Sequence, residues 1–223
     1  MKKIITIDGP AGSGKSTVSR ELAKRLGYVY LDTGALYRAL AFKALQNSMD
    51  IRSEEALALL CAETEVTLKN QDGEMKVFVD GRDVGDLIRT EEVGLAASIL
   101  SAFPVVRNKL LNLQREAGAQ GGIVAEGRDM GSVVFPQADA KFFLFADMDE
   151  RVRRRREELT QKNKPVSQEE VCRDMQARDA QDSERRLAPL TAAPDAVLID
   201  STWMDVAQVV ESILLSISAE NGE

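Results

Sequence analysis

The sequence predicts an α/β fold: a five-stranded parallel sheet with helices on both faces, plus a small antiparallel β-rich insert. Three observations lead there. A short β-branched run, Ile4 to Ile7, passes through a glycine-rich turn into a helix-spaced segment. Strand-then-helix order returns several times along the chain, and buried strands in that order form parallel sheets. Between these stretches lies a block of β-rich runs split by Asp-Gly turns.

In order, Ile4 to Ile7 is the first strand, and Gly9 to Gly14 the turn. Lys15 to Leu26 places Val18, Leu22 and Leu26 on one helical face, with Gly27 as the stop. Tyr28 to Leu31 reads as a strand and Ala35 to Leu45 as a helix. Glu65 to Leu68, Met75 to Val79 and Arg82 to Val84 form the insert, divided by Gln71-Asp72-Gly73 and Asp80-Gly81. Helical spacing covers Glu91 to Leu100 and Val105 to Ala117. The core strands resume at Ile123 to Ala125, Lys141 to Ala146 and Ala196 to Ile199. A terminal amphipathic helix, Val206 to Ile217, closes the pattern.

A chain of 223 residues, 44% hydrophobic and 29% charged, suits one packed domain rather than a disordered chain. A formal net charge of −7 argues against a surface built for nucleic-acid polymers, though local arginine clusters can still hold small anions. Cys61 and Cys172 lack any disulfide or zinc spacing, which fits a reducing compartment. There is no histidine, so metal binding and proton transfer rest on carboxylates, hydroxyls, lysine and arginine. The apolar run after Lys3 meets Asp8 after four residues, too short for a signal sequence or a membrane span. A cytoplasmic location is expected, and a monomer, because the pattern leaves no large apolar face.

Gly9-Pro10-Ala11-Gly12-Ser13-Gly14-Lys15-Ser16 matches G-x-x-x-x-G-K-[ST] without a gap. Glycines let successive backbone N–H groups turn toward phosphate oxygens, and the following helix adds its own N-terminal amides. Lys15 would reach the β- and γ-phosphates, and the Ser16 hydroxyl would meet Mg²⁺. The motif follows a strand and opens a helix, which favours a nucleotide-phosphate site over a mere tight turn. A GTPase would carry Asn-Lys-x-Asp; the nearest stretch, Asn163-Lys164-Pro165-Val166, lacks the aspartate. Glu126, ending the Ile123 to Ala125 strand, is placed either to hold Mg²⁺ through water or to stand as a surface acid.

A kinase for phosphorylated acceptors brings two anions together, and guanidinium forks do this better than lysines. Asp32-Thr33-Gly34-Ala35-Leu36-Tyr37-Arg38 sits at the carboxyl end of a strand, where ligands bind in such sheets. There Thr33 is alternatively a plain N-cap and Tyr37 a packing residue. Glu126-Gly127-Arg128-Asp129-Met130-Gly131 lies at the same edge, and its Arg–Asp pair is alternatively a local salt bridge. Arg151 to Arg156 holds five arginines, as a flap over ATP or as a solvated helix face. Arg178, Asp182 and Arg185, spaced i, i+4, i+7, share one helix face, as ligand contacts or as an ion-pair stripe.

Taken together, these segments resemble the bacterial cytidylate kinase family along nearly the whole chain. The matching words are Ile7-Asp8-Gly9-Pro10, Leu31 to Arg38, Ala97-Ser98, Ala102 to Arg107, Glu126 to Pro136, and Arg178-Asp179 through Ala188-Pro189-Leu190. The β-rich insert resembles the segment that separates this family from adenylate and thymidylate kinases. The resemblance implies a single P-loop kinase domain, with a nucleoside-monophosphate-binding region at about 33–107 and an arginine-rich lid at about 150–166. It implies ATP and CMP or dCMP as substrates, with Mg²⁺.

The ATP site then runs from Gly9 through Pro10, Ala11, Gly12, Ser13, Gly14, Lys15 and Ser16 to Thr17, with Arg151, Arg154 and Arg155 from the lid. Arg38, Arg128 and Arg185 would hold the acceptor phosphate beside Thr33 and Tyr37. Ser98, Arg107 and Asp129 would surround the cytosine, and Arg178 and Asp182 the sugar. Lys15, Arg128, Arg154 and Arg185 would carry the transfer. Thr33 stands where relatives often have Ser, and Glu126 where some have Asp; hydroxyl and charge are kept. Arg153 and Arg156 match no lid position. A kinase for a non-nucleotide such as shikimate, or a regulatory P-loop ATPase, remains the competing reading.

Overall fold

The computed structural model describes residues 2–161 and 166–219. Its elements are β1 (Ile4–Asp8), α1 (Lys15–Leu26), β2 (Val29–Asp32), α2 (Thr33–Gln46), α3 (Glu54–Glu63), β3 (Val66–Gln71), β4 (Glu74–Val79), β5 (Arg82–Asp83), α4 (Glu91–Leu100), α5 (Pro104–Gly118) and β6 (Ile123–Gly127). A π-helical turn (Met130–Val134), β7 (Ala140–Phe145), α6 (Met148–Gln161), α7 (Gln168–Glu184), β8 (Val197–Asp200) and α8 (Val206–Ala219) follow.

Five strands, in the order β2-β6-β1-β7-β8, pair in parallel and form the expected core. In β1, four of five residues are buried, so the strand shows no alternation. α1 packs with α8 over one face of this core, where Val18 and Leu22 meet Ile5, Leu144, Val210 and Ile213. Gly27 ends α1 in the left-handed region, φ 64°, and its N–H returns to Ala23 and Lys24 carbonyls.

The insert is joined to the core sheet. β3, β4 and β5 are antiparallel, but β4 also joins β2, with Tyr30 opposite Glu74 and the Tyr30 N–H on the Gly73 carbonyl at 2.8 Å. The insert thus extends the core into one eight-stranded sheet and shields the β2 edge. Asp72-Gly73 and Asp80-Gly81 all have positive φ, as tight hairpin turns require. A helix left unassigned by the sequence, α3, is capped by the Ser53 hydroxyl on the Ala56 N–H and buries Leu57 and Leu60.

α6 carries the arginine run and packs on α7 through Val152, Leu159, Val171 and Met175. Of the lid region at 150–166, and of the Asn163-Lys164-Pro165-Val166 stretch, residues 162–165 lie outside the described residues. No helix among the described residues is long and apolar enough to cross a membrane.

Candidate active site

The carboxyl ends of β1, β2 and β6 open into a cleft of about 1300 Å³. One end is the P-loop. Gly9 and Gly12 have φ of 155° and 73°; a side chain at Gly9 would strike the Leu144 carbonyl, and one at Gly12 would meet Met175 and Arg151. Gly14 caps α1 without a side-chain hydrogen bond, and the first turn holds no acidic residue. Its amides are therefore free of side-chain caps, which suits an anion. The Lys15 ammonium donates to the Pro10 carbonyl at 2.8 Å. Burial, helped by Arg128 and opposed by Glu126, pushes its pKa down to about 7.

Beside the loop stands Glu126, 2% exposed. Ser16 donates to its Oε2 at 2.9 Å, and the Tyr30 hydroxyl donates to its Oε1. Burial and the nearby Asp32 push this carboxyl upward, against Lys15 and the two hydroxyl donors. The Tyr30 ring lies under the Arg20 guanidinium, 4.8 Å from its centre, and Arg20 donates to Glu74 of the insert at 2.7 Å. A buried carboxylate beside a hydroxyl supplies hard oxygen donors, which suits a magnesium ion held chiefly by phosphates. Among the described residues, no group of three or more His, Cys, Asp or Glu side chains is arranged to hold a metal ion.

The other end of the cleft is cationic. Arg38 pairs with Asp32 at 2.7 Å, and Arg128 with Asp182 at 2.7 Å. Ser98 also donates to Asp182, at 3.3 Å. Burial opposes ionisation of Asp182, but Arg128, Arg178 and Arg185 together hold the carboxyl below its usual range. Asp129, 2% exposed, pairs with Arg107, and Arg185 stands 3.7 Å away. Here burial wins, and the Asp129 carboxyl is pushed up despite both arginines. The Arg107 guanidinium lies 5.8 Å from the Tyr37 ring centre. Arg38 Nε, Arg178 Nε and Arg185 Nη2 are buried without hydrogen-bond partners. Buried unsatisfied cationic donors are costly, and three around one cleft point to an anionic ligand. Burial and Arg128 push Arg178 down to about 10.

Several sequence expectations change in detail. Asp32, not Thr33, caps α2, accepting from the Ala35 N–H at 3.0 Å. Thr33 donates instead to the Glu126 carbonyl at 2.6 Å, tying two strand ends together. Arg185 does not lie on the helix face of Arg178 and Asp182: α7 ends at Glu184, and Arg185 is extended. It reaches the cleft from the following turn, held by Ser101 Oγ at 3.1 Å and the Ala188 carbonyl at 2.6 Å. Nor is the trio an ion-pair stripe, since the close partner of Asp182 is Arg128, 54 residues away.

The lid arginines divide. Arg151 is buried beneath the P-loop, donating to the Ala11 carbonyl at 3.0 Å, the Ala146 carbonyl at 3.1 Å and Asp179 at 2.5 Å. These bonds tie the arginine run of α6 to the backbone of the P-loop. Arg154 lines the cleft and donates to the Ser13 and Ser201 carbonyls, at 3.3 and 2.6 Å. Arg155 pairs with Glu158 and crosses to Glu91 of α4. Arg153 is exposed, pairing with Glu150 and Glu157 on its own helix. Sequence reasoning passed over Tyr30, Ser101, Arg89 and Trp203, all lining the cleft. Ser101 stands one helical turn beyond Ser98, where the Ser101 hydroxyl donates to the Ser98 carbonyl at 2.8 Å; nothing in the local sequence pattern marks the others.

The sequence profile of the family described as cytidylate kinase matches residues 5–219. A cytidylate kinase from Syntrophotalea carbinolica is 50% identical over 211 residues, covering 95% of this chain and 90% of the relative. One from Desulfitobacterium hafniense is 47% identical over 210 residues, covering 94% and 90%. Among solved structures, an uncharacterized protein from Eubacterium ventriosum aligns with a TM-score of 0.53 at 13% identity, covering 97% of this chain and 99% of that one; the likeness is one of fold. With its profile matched almost end to end and relatives near half identical, the chain belongs to the cytidylate kinase family.

Proposed function

We propose that this protein transfers the γ-phosphoryl group of ATP to CMP or dCMP, giving ADP and CDP or dCDP. The observation that carries the reading is one cleft with a P-loop at one end and Arg38, Arg128, Arg178 and Arg185 at the other. Such a cleft brings two phosphorylated ligands face to face. An oxygen of the acceptor phosphate forms the new P–O bond as the β–γ bridging bond breaks, and ADP leaves. That oxygen is already anionic, so the reaction needs no protein nucleophile and no strong base. What remains is positioning and neutralising charge.

Lys15 and the loop amides hold the donor phosphates, with Gly9 to Thr17 as the cradle. Arg154, Arg128 and Arg185 surround the transferred group, and Arg38 holds the acceptor phosphate. Ser98, Arg107 and Asp129 read the cytosine, while Arg178 and Asp182 face the sugar. Ser16 and Glu126 would hold Mg²⁺, which, when bound, offsets charge on the donor phosphates. Residues 33–107 form the acceptor-binding region, and 150–166 the lid. We further propose a cytoplasmic monomer that takes no nucleic-acid polymer and no membrane as partner.

A coupled ADP-release assay across CMP, dCMP, UMP, AMP, dTMP and shikimate tests the reading. CMP and dCMP should give the highest kcat/KM. Shikimate turnover, or ATP hydrolysis indifferent to every acceptor, would instead point to the non-nucleotide kinase or the regulatory ATPase.

A further inference from the structure

Trp203 is the only tryptophan in the chain, and at 90% exposure the most exposed large hydrophobic residue among those described. It stands in the turn between β8 and α8 and lines the cleft with Met204, Val206 and Val209. That turn is fastened to the P-loop. Ser201 Oγ donates to the Ser13 carbonyl at 3.1 Å, and Arg154 bridges the Ser13 and Ser201 carbonyls. Thr202 Oγ1 accepts from the Asp147 N–H at 3.0 Å, tying the turn to the start of α6 as well. The indole is therefore carried on a wall anchored beside the phosphate cradle.

The chemistry of this wall differs from the acceptor end. Its one acidic side chain, Asp205, is engaged at the start of α8: Asp205 Oδ1 accepts from the Gln208 N–H, and Gln208 Oε1 from the Asp205 N–H, each at 2.9 Å. Trp203, Met204 and Val206 offer flat and apolar surface with no side-chain donor or acceptor fixed toward a base edge. An exposed tryptophan has a large apolar face to cover, and a purine is a flat surface that covers it.

We infer that Trp203 is the residue against which the purine base of the nucleotide donor stacks. The inference rests on the proposed ATP site and adds a determinant of donor affinity to it. The test uses the single tryptophan as its own probe. Magnesium ADP should change the Trp203 emission of the full-length protein. Magnesium tripolyphosphate, which carries the phosphates without a base, should displace ADP in calorimetric competition yet leave the emission near its free value. Trp203→Ala should lower ADP affinity about tenfold, leave tripolyphosphate and CMP affinities unchanged, and raise KM for ATP more than it alters kcat. Trp203→Phe should keep ADP affinity within about threefold, as a smaller stacking face would. Equal losses of ADP and tripolyphosphate affinity in Trp203→Ala would mean that the side chain only supports the loop. An emission unmoved by bound ADP would also overturn the stack. If neither probe binds the native protein, the donor site itself is misassigned and the stack falls with it.

Discussion

The Tyr30 hydroxyl donates to Oε1 of Glu126, while Ser16 donates to Oε2 of the same carboxylate. The strand that carries Tyr30 is also the strand to which the insert attaches, and Arg20 links the Tyr30 ring to Glu74. A contact chain thus runs from the insert to the carboxylate beside the P-loop. Tyr30→Phe removes one oxygen and keeps the ring. A hydrogen bond to a charged group is worth about 1.5–3 kcal/mol, so kcat should fall roughly 10- to 100-fold. The magnesium concentration for half-maximal rate should rise with it. Steady-state kinetics with magnesium titration checks this, and unchanged kinetics would reduce Tyr30 to a packing residue.

Lys15 should set the pH dependence of donor binding. In the free protein its pKa is pushed down to about 7, below the ordinary lysine value, so above that pH it is increasingly neutral. The phosphates need the charged form. ADP affinity should therefore fall as pH rises from about 7 to 9, by up to about tenfold per unit, with proton uptake on binding. Calorimetry in buffers of different ionisation enthalpy measures that uptake. Lys15→Ala should abolish the uptake and nearly all turnover while the fold survives; a folded variant with native turnover would remove Lys15 from the site.

Asp129 should select the base. Cytosine presents an N4 donor where uracil presents an O4 acceptor, and an ionised carboxylate welcomes only the first. Burial pushes the Asp129 carboxyl up, and Arg107, Arg185 and Arg128 oppose that push. Asp129→Asn offers a donor to O4. It should lower kcat/KM for CMP and narrow the CMP/UMP ratio by at least about tenfold, some 1.4 kcal/mol. The parent ratio in the variant would place base selection elsewhere.

Asp182 separates a site from a surface stripe. As one member of an intrahelical ion pair it would contribute about 0.2–0.5 kcal/mol. Its side chain is instead 5% exposed and paired with Arg128, so Asp182→Ala strands a largely buried guanidinium. The expected loss is about 3 kcal/mol in urea unfolding, with CMP affinity falling more than ATP affinity. Arg178, whose Nε has no hydrogen-bond partner, should behave differently. Arg178→Ala should weaken CMP binding with little loss of stability, and CMP titration of the folded variant decides it.

What the sequence determined by itself was local. A β-branched run, glycines at the P-loop and helical spacing from Val18 to Leu26 specify a strand, a phosphate loop and a helix within a few residues of one another. The Asp-Gly turns likewise specified their hairpins, because positive φ is a property of single residues. The tertiary structure decided which charges meet. Asp182 reaches Arg128 across 54 positions, and Arg151 turns under the P-loop rather than over it. It also merged the insert with the core sheet through Tyr30 and Glu74, and brought Trp203 to the cradle through Ser201. Periodicity reports which face of an element is covered. The far end of a long arginine, or of a strand edge seeking a partner, settles on whatever remote backbone leaves its donors least unsatisfied.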